Sequence, residues 1–535
     1  MNIGDLSDEH TDGNERPSPK PEREIQNVPA VTPLPKLQLF ILLYLQLAEP
    51  LTSTVVYPFV NQLVRETGVT GGDERKTGYY AGFIESSFYA TEAICVLQWG
   101  RLSDRFGRKP ILLSGLVGLI ISVVGFGLSK NYWALVLSRC AEGALNGNIG
   151  VSKSMMTEIT DVTNRARGFA YLPMVWSLGS TIGPVIGGVF SNPTTRWPGI
   201  FGTTGFWAEY PYFLPCITVA YVSLTAFLIA LFCLKEVRPR SHKPTSRLKD
   251  PENGRIIYER LPASDPGPSL STAIDKSGSD TDDQIELDIL ERSDSLDIEG
   301  TDASINIPYH HKPHLDQEIQ RDIGLRSILI PRVLLPVLNY GFLAFTDQAV
   351  NVLIPLMYSS SIDHGGLGFD PFVIGLVQGL AGLVMGFTQV LTFPRLLQKF
   401  GPKKLYIASY TSYLLVYCAF PVLSSVTKTA GGVTTWTWLV ILLQLAAYSM
   451  TCLTWGCIFM YISEAAPSPA TLGLTNGLAQ TTSSVMCAIA PSASSSLFSA
   501  SLEHNLSGGN FVYWFLCAFT VCGIVASSRL PSHLG

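Results

Sequence analysis

The feature that most limits this chain is a series of apolar runs. Each is about 20 residues long, the length that carries a helix across the hydrocarbon core of a bilayer. They lie near 37–63, 79–99, 110–129, 132–154, 167–190 and 211–234, then near 332–357, 372–396, 405–427, 434–461, 472–499 and 509–529. In lipid each backbone polar group must be satisfied within its own segment, so runs of this kind become helices. The expectation is an all-α membrane protein with twelve transmembrane helices in two six-helix halves. The runs at 132–154 and 472–499 are the least apolar. Only 15% of the 535 residues are charged, against about a quarter in soluble domains. That charge is segregated between the runs, so the net −5 carries little information about partners.

The polar stretches set the expected boundaries. Residues 1–36 form a Pro-rich N-terminal tail with the composition of disorder and no cleavable signal. Residues 37–234 form the first half, 235–330 a disordered linker, and 331–535 the second half with a short tail. The linker is basic over 235–260, with eight Lys/Arg against four acids, which suits contact with anionic lipid. Over 264–302 it is acidic, with twelve Asp/Glu against two bases, and its Ser and Thr are candidates for phosphorylation. His310, His311 and His314 read first as part of a soluble polar segment and second as a metal-sensing loop. No metal site is expected. All ten cysteines fall within apolar runs, where they serve as packing residues.

Between the second and third runs stands GRLSDRFGRKP, residues 100–110. It carries Arg101, Arg105, Arg108 and Lys109 beside Asp104, so it reads as a short, sharply turned loop on the cytoplasmic side. A shift of 294 positions lands on PRLLQKFGPK at 394–403, where Gly401 matches Gly107 and Lys403 matches Lys109. Gln398 replaces the acid, so the second copy is degenerate and any charge latch is asymmetric. Arg395, Lys399, Lys403 and Lys404 place this copy on the same face. With Lys130, Arg196 and Lys428 standing singly on the other face, both termini and the linker are expected to be cytoplasmic. Asn505 heads a sequon in the last outward loop, close to the membrane.

The pattern G-x-L-x-D-R-x-G-R-K-x-x-L (Gly100, Leu102, Asp104, Arg105, Gly107, Arg108, Lys109, Leu112) resembles the loop 2–3 motif of the major facilitator superfamily. The resemblance implies two halves related by an axis along the membrane normal, working by alternating access. It also implies that Asp104, Arg105 and Arg108 latch the halves on the cytoplasmic face in one state.

Ionisable groups at membrane depth are costly, which makes each a functional candidate. Glu49 sits centrally in the first run, directly before Pro50, whose missing N–H suits a kink that lines a cavity. Glu85 and Glu92 share a face of the second, with Glu92 placed deeper. Asp347 lies near the middle of the seventh beside Gln348, with Asn339 and Tyr340 a few turns earlier. Asn476 and Gln480 share a face of the eleventh. Burial disfavours an ionised carboxyl, so these acids are suited to exchange protons. The alternative for each is a structurally paired acid. Arg139, Glu142 and Asn146 occupy one face of the fourth run. There L-x-x-x-R-x-x-E-G resembles the family's fourth-helix motif, in which the Arg is linked to proton coupling. Glu142 replaces the usual Gln, which opens a second reading: Arg139 is neutralised structurally.

The fifth run contains GSTIGPVIGG. Gly179, Gly183, Pro184, Gly187 and Gly188 supply small residues at helical spacing, and ordinary close packing would account for them. The run also resembles the antiporter motif of the twelve-helix drug:proton antiporter branch, which implies export. Glu49-Pro50, 145–153, Glu158 with Asp161, 211–216, 365–369 and 472–480 resemble a narrower group, the zinc-induced facilitator-like and tetracycline-exporter-like transporters. Substrates implied by that group range from metal-chelating acids to drugs, auxin and monovalent cations.

The sequence therefore predicts a transporter of a small molecule by proton-coupled antiport. It would draw on the proton gradient, with no bound cofactor and no nucleic acid, as a monomer in the plasma or vacuolar membrane. The alternatives are a proton symporter or facilitator, and a non-transporting nutrient sensor of the same fold. No nucleotide-binding loop, nucleophile constellation or metal-ligand spacing suggests an enzyme.

Overall fold

The computed structural model describes residues 32–146, 148–161, 164–236, 248–249, 256–257, 329–467 and 471–532. The expected disordered tail up to residue 31, and the acidic stretch and His310, His311 and His314 of the linker, lie outside the described residues. The structure is helical: α1 (Lys36–Thr54), α2 (Val60–Glu66), α3 (Thr77–Phe106), α4 (Arg108–Gly127), α5 (Tyr132–Leu145), α6 (Asn148–Ile159), α7 (Arg165–Phe190) and α8 (Phe213–Cys233). After the linker come α9 (Pro331–Ser359), α10 (Pro371–Leu391), α11 (Phe393–Ala430), α12 (Thr435–Ala465), α13 (Leu472–Glu503) and α14 (Phe511–Ser528). A two-residue antiparallel ladder pairs Leu248 with Ile257 and Lys249 with Ile256.

Nine of the described helices are long and apolar enough to cross a membrane. The other expected spans run through α1–α2, α3 and α5–α6. These three carry Glu49, Glu85 with Glu92, and Arg139 with Glu142, so the polar groups that lower their apolarity are the functional candidates. Two of them are also broken. The first run turns at 55–59, while Pro50 stays inside α1. The fourth breaks at Asn146, with φ −78° and ψ 61°; Asn and the following glycine are both poor helix formers.

The expected loop at 100–110 is corrected in part. α3 continues through Gly100, Asp104 and Arg105 to Phe106, and α4 begins at Arg108. The link is the single residue Gly107, at φ 102° and ψ 162°, a left-handed conformation that glycine adopts without strain. Gly401 has nearly the same backbone, φ 75° and ψ 167°, inside the otherwise continuous α11. The degenerate second copy therefore keeps the turn although it lost the acid. Glu236 fixes the first copy: its carboxylate accepts the Arg108 N–H at 2.8 Å and the Lys109 N–H at 3.0 Å.

Buried apolar side chains form three clusters, two drawn from residues before 235 and one from residues after 332. The helices α1–α8 and α9–α14 meet mainly along two seams, α3 against α13 and α7 against α10.

Candidate functional site

The first polar centre is built on α5. Arg139 is fully buried. Its Nη1 donates to Glu142 Oε2 at 2.8 Å, and its Nη2 donates to Glu85 Oε1 at 2.5 Å and to the Ser53 carbonyl at 3.3 Å. The guanidinium also lies 5.2 Å from the Phe88 ring centre and 5.8 Å from that of Phe126. Both carboxylate side chains are only 2% exposed. Glu85 was the acid that sequence placed as the shallower of its pair. In the structure Glu85 is buried against Arg139, while Glu92, nearer the middle of α3, stays partly exposed. A fully buried guanidinium needs a counter-ion, and Glu85 supplies one.

The second centre surrounds the break in the fourth span. Glu49 is 3% exposed and accepts from Gln46 Nε2 at 3.3 Å. Asn146, at the point where α5 ends, donates to Glu92 Oε1 at 3.5 Å. The Lys153 ammonium, on α6, stands within electrostatic reach of both. Lys153 lies inside the 145–153 stretch that carries the family resemblance, and its side chain is exposed. The three hydroxyls after Glu49 do not reach this centre. Thr52, Ser53 and Thr54 turn back onto the Glu49 and Pro50 carbonyls.

The third centre lies on α9. Asp347 is half-buried and accepts from Tyr413 Oη at 2.7 Å and from Asn351 Nδ2 at 3.3 Å. Tyr448 Oη donates to Asn351 Oδ1 at 2.7 Å. Gln348 crosses to the first group: its Oε1 accepts from Tyr89 Oη at 3.4 Å, and its Nε2 donates to Tyr57 Oη at 3.5 Å. Among the described residues, Asp347 has no cationic partner. Sequence reasoning missed the tyrosines. Tyr406, Tyr410, Tyr413 and Tyr417 recur at helical spacing on α11 and are all fully buried, a pattern that reads as core unless a polar partner on α9 is known.

Other sequence candidates fall outside these centres. Asn339 is buried and donates to its own Leu335 carbonyl, while Tyr340 packs edge-on against Trp455 at 5.7 Å. Neither contacts Asp347, because α9 turns them toward α11 and α12. Asn476 and Gln480 are exposed.

The glycines of the fifth span have a double task. Cβ atoms added at Gly179 would meet Pro50 Cγ at 2.5 Å, and those at Gly183 the Leu51 carbonyl at 3.3 Å. Gly187 faces Val55 in the same way. These positions let α7 lie against the Glu49-Pro50 segment. Gly188 points elsewhere, where a Cβ would stand 2.9 Å from Gly375 Cα on α10. The Pro184 carbonyl also abuts Gly375.

The polar contacts that cross between the two helix groups cluster at mid-height and at the end remote from Gly107. Arg65 pairs with Glu74 at 2.8 Å and donates to the Ser359 carbonyl at 3.0 Å. Glu74 Oε1 accepts the Ser361 N–H at 3.1 Å. Arg196 pairs with Asp370 at 2.8 Å. Ser86 Oγ accepts the Ser492 N–H at 2.9 Å. At the other end, the partners of Arg108 are Asp104 at 2.7 Å and Glu158 at 2.9 Å, both in the first group. Asp104 and Arg105 are exposed and Lys109 is half-buried. No group of three His, Cys, Asp or Glu among the described residues is placed to hold a metal ion.

The sequence matches the family model described as Major Facilitator Superfamily over residues 42–491. It is 28% identical to the Major facilitator superfamily multidrug transporter mfsB of Aspergillus fumigatus, covering 92% of this chain and 83% of that one. It is 26% identical to Protein ZINC INDUCED FACILITATOR 1 of Arabidopsis thaliana, covering 92% and 91%. Its fold is similar to the crystal structure of a D-xylose–proton symporter, with a TM-score of 0.62, 16% identity and coverage of 92% and 97%.

Proposed function

Because the chain belongs to the Major Facilitator Superfamily, and is thus a multi-pass integral membrane protein of a transporter family, we propose that it exports a small molecule from the cytosol in exchange for protons. The observation that carries this reading is the charge imbalance of the central groups. Among the described residues, Arg139 pairs with Glu85 and Glu142, Lys153 lies within electrostatic reach of Glu49 and Glu92, and Asp347 has no cationic partner. Carboxyls in excess of cations at membrane depth are groups that take up and release protons as the pathway alternates between its two sides.

In this reading residues 37–234 and 331–535 are the two moving halves, 235–330 is a cytoplasmic linker and 1–36 a cytoplasmic tail. The Arg65, Glu74 and Arg196 contacts then close the outward face, and the Gly107 end opens to the cytosol, the state that loads cargo for export. Asp104, Arg105 and Arg108 latch the halves in the opposite state. Arg139 holds Glu85 and Glu142 in place, while Glu49 and Glu92, beside Lys153, carry the proton. Gly179, Gly183, Pro184, Gly187 and Gly188 let α7 roll over α1 and α10. The multidrug-transporter relative supports a small-molecule cargo.

The test uses inside-out membrane vesicles from cells that express the chain and a panel of radiolabelled drugs and amines. With the lumen acidified, at least one member should accumulate, and a protonophore should abolish the accumulation. Accumulation that a protonophore leaves unchanged refutes proton coupling; flux that runs only in the opposite direction selects a symporter.

A further inference from the structure

We propose that residues 193–210, the link between α7 and α8, form a lipid-inserted element. Its apolar side chains enter the interfacial layer of the bilayer at the end remote from Gly107, and that seat holds Arg196 ready to close against the second helix group. The proposal uses membrane residence, which the family supplies, and is independent of proton coupling.

Position comes first. α7 ends at Phe190 and α8 begins at Phe213, and both helices are long and apolar enough to cross a membrane. The neck between them is tied, since the Asn192 N–H donates to the Pro211 carbonyl at 3.0 Å. The link therefore leaves the bilayer boundary and returns to it at one point. It folds as three single-turn helices, Pro193–Arg196, Pro198–Phe201 and Phe206–Glu209. Pro193 and Pro198 each open one of them, and Gly202 (φ 71°) and Gly205 (φ 92°) turn the chain between the last two.

Chemistry comes second. Residues 193–210 include five aromatic side chains, and only Arg196 and Glu209 are charged. Trp and Tyr rings favour the level of the headgroups, where one end is apolar and the other wet. Ile200 is 78% exposed and Phe206 is 44% exposed, so the protein leaves this apolar surface uncovered. The rings run on into a membrane-spanning helix. Trp197 stands 6.1 Å from Phe201, Phe201 5.1 Å from Trp207, and Phe206 5.2 Å from Phe213 in the first turn of α8. That continuity with a helix already in the bilayer makes lipid the occupant.

The charges are already answered within the protein. Glu209 pairs with Lys130, whose ammonium also lies 4.5 Å from the Tyr210 ring centre. Arg196 pairs with Asp370 at 2.8 Å. Insertion is therefore driven by apolar surface and does not require anionic lipid. Arg196 is also the connection to the other helix group. Asp370 caps α10 by accepting the Val373 N–H at 3.0 Å, and the Arg196 guanidinium lies 4.0 Å from the Phe372 ring centre. A link seated in lipid presents Arg196 in one place. A link free in water must order that long side chain at each closure, which lowers the closed population.

The test places a spin label, carried on an unnatural amino acid, at Ile200 of the full chain in phosphatidylcholine vesicles. Oxygen, which concentrates in lipid, should relax this label more than a water-soluble nickel chelate does, as at exposed Tyr221 on α8 and opposite to exposed Asp363. Adding phosphatidylglycerol should leave the ratio unchanged. In a second arm, Ile200→Ser combined with Phe206→Ser should lower the closed population about two- to tenfold, read as the distance between labels at Leu128 and Asp363. Relaxation at Ile200 dominated by the nickel chelate overturns insertion, and protection from both agents assigns the surface to a protein partner instead. Insertion seen only with phosphatidylglycerol overturns the apolar driving force, and an unchanged distance distribution in the folded double variant overturns the hold on Arg196. The accessibility arm needs no destabilising variant, so a double variant that fails to fold leaves the proposal open to refutation.

Discussion

Replacing Arg139 with Met removes the one cation between Glu85 and Glu142 in space where neither carboxylate is more than 2% exposed. Two unpaired carboxylates cannot remain ionised there, so the folded variant must hold them as acids. Taking a carboxyl from its ionised form in water at pH 7 to the acid costs about 3.7 kcal/mol, from an ordinary value near 4.3 at 1.36 kcal/mol per unit. Two such groups set an upper figure of about 7 kcal/mol, and breaking a buried pair typically costs about 3–5 kcal/mol. We expect a loss of about 4–7 kcal/mol at pH 7. The folded variant binds more protons than its unfolded chain, so its stability rises as pH falls. At pH 5 the same conversion costs only about 1 kcal/mol per group, so up to about 5 kcal/mol should return. Glu142→Gln instead leaves a balanced Arg139–Glu85 pair, with an amide oxygen in place of the accepting carboxylate. It should stay within about 1 kcal/mol of wild type with no added pH dependence. The assay is reversible unfolding in mixed micelles at both pH values, read as the difference between variant and wild type. An Arg139→Met protein as stable as wild type at pH 7, or equally destabilised at pH 5 and 7, would refute the argument.

Two further outcomes follow from the contacts between the helix groups, and a third from the Gly107 end. Gly188→Val places side-chain atoms where Gly375 Cα already stands 2.9 Å from a Cβ position. Overpacking of about 1–3 kcal/mol should shift the population away from this closed seam roughly 5- to 150-fold, seen as a longer distance between site-specific labels at Thr204 and Asp363. An unchanged distance distribution would show that the seam can absorb the side chain. Glu74→Gln weakens the pair with Arg65 while keeping the Ser361 acceptor. Its partners are about a quarter exposed, so a shift of only about 0.5–1 kcal/mol in the same distance equilibrium is expected. Asp104→Asn should reduce flux strongly with the outward-end contacts unaltered; normal flux would remove the cytoplasmic latch from the account.

The helices were legible because lipid leaves an apolar segment only one way to satisfy its backbone. The Gly107 turn was legible because its copy at Gly401 could be found by shifting the sequence, and the two residues do share one backbone conformation. Its extent was not, since α3 runs on through Asp104 to Phe106 and reduces an apparent loop to one residue. Arg139 with Glu142 was visible as a local pair one turn apart. Glu85 as its second partner was not, because that contact joins positions 54 residues apart. Asp347 stood out as an acid in an apolar run, whereas Tyr413 and Tyr448, which lie on other helices, have no local signature that separates a hydrogen-bonding tyrosine from a core one. For Asn339 and Tyr340 their place along the span was legible, but not which neighbouring helices they meet.

The most direct test of the central claim runs the exchange backwards. Proteoliposomes of the purified chain, loaded with a transported substrate and a pH-sensitive dye and diluted into substrate-free medium at equal pH, report protons moving against the cargo. Linkage between the two ligands requires coupling in both directions. The account predicts that substrate leaving the lumen draws protons in, so that the lumen acidifies, and that the signal vanishes in Glu49→Gln. Substrate efflux with a flat dye trace would contradict it.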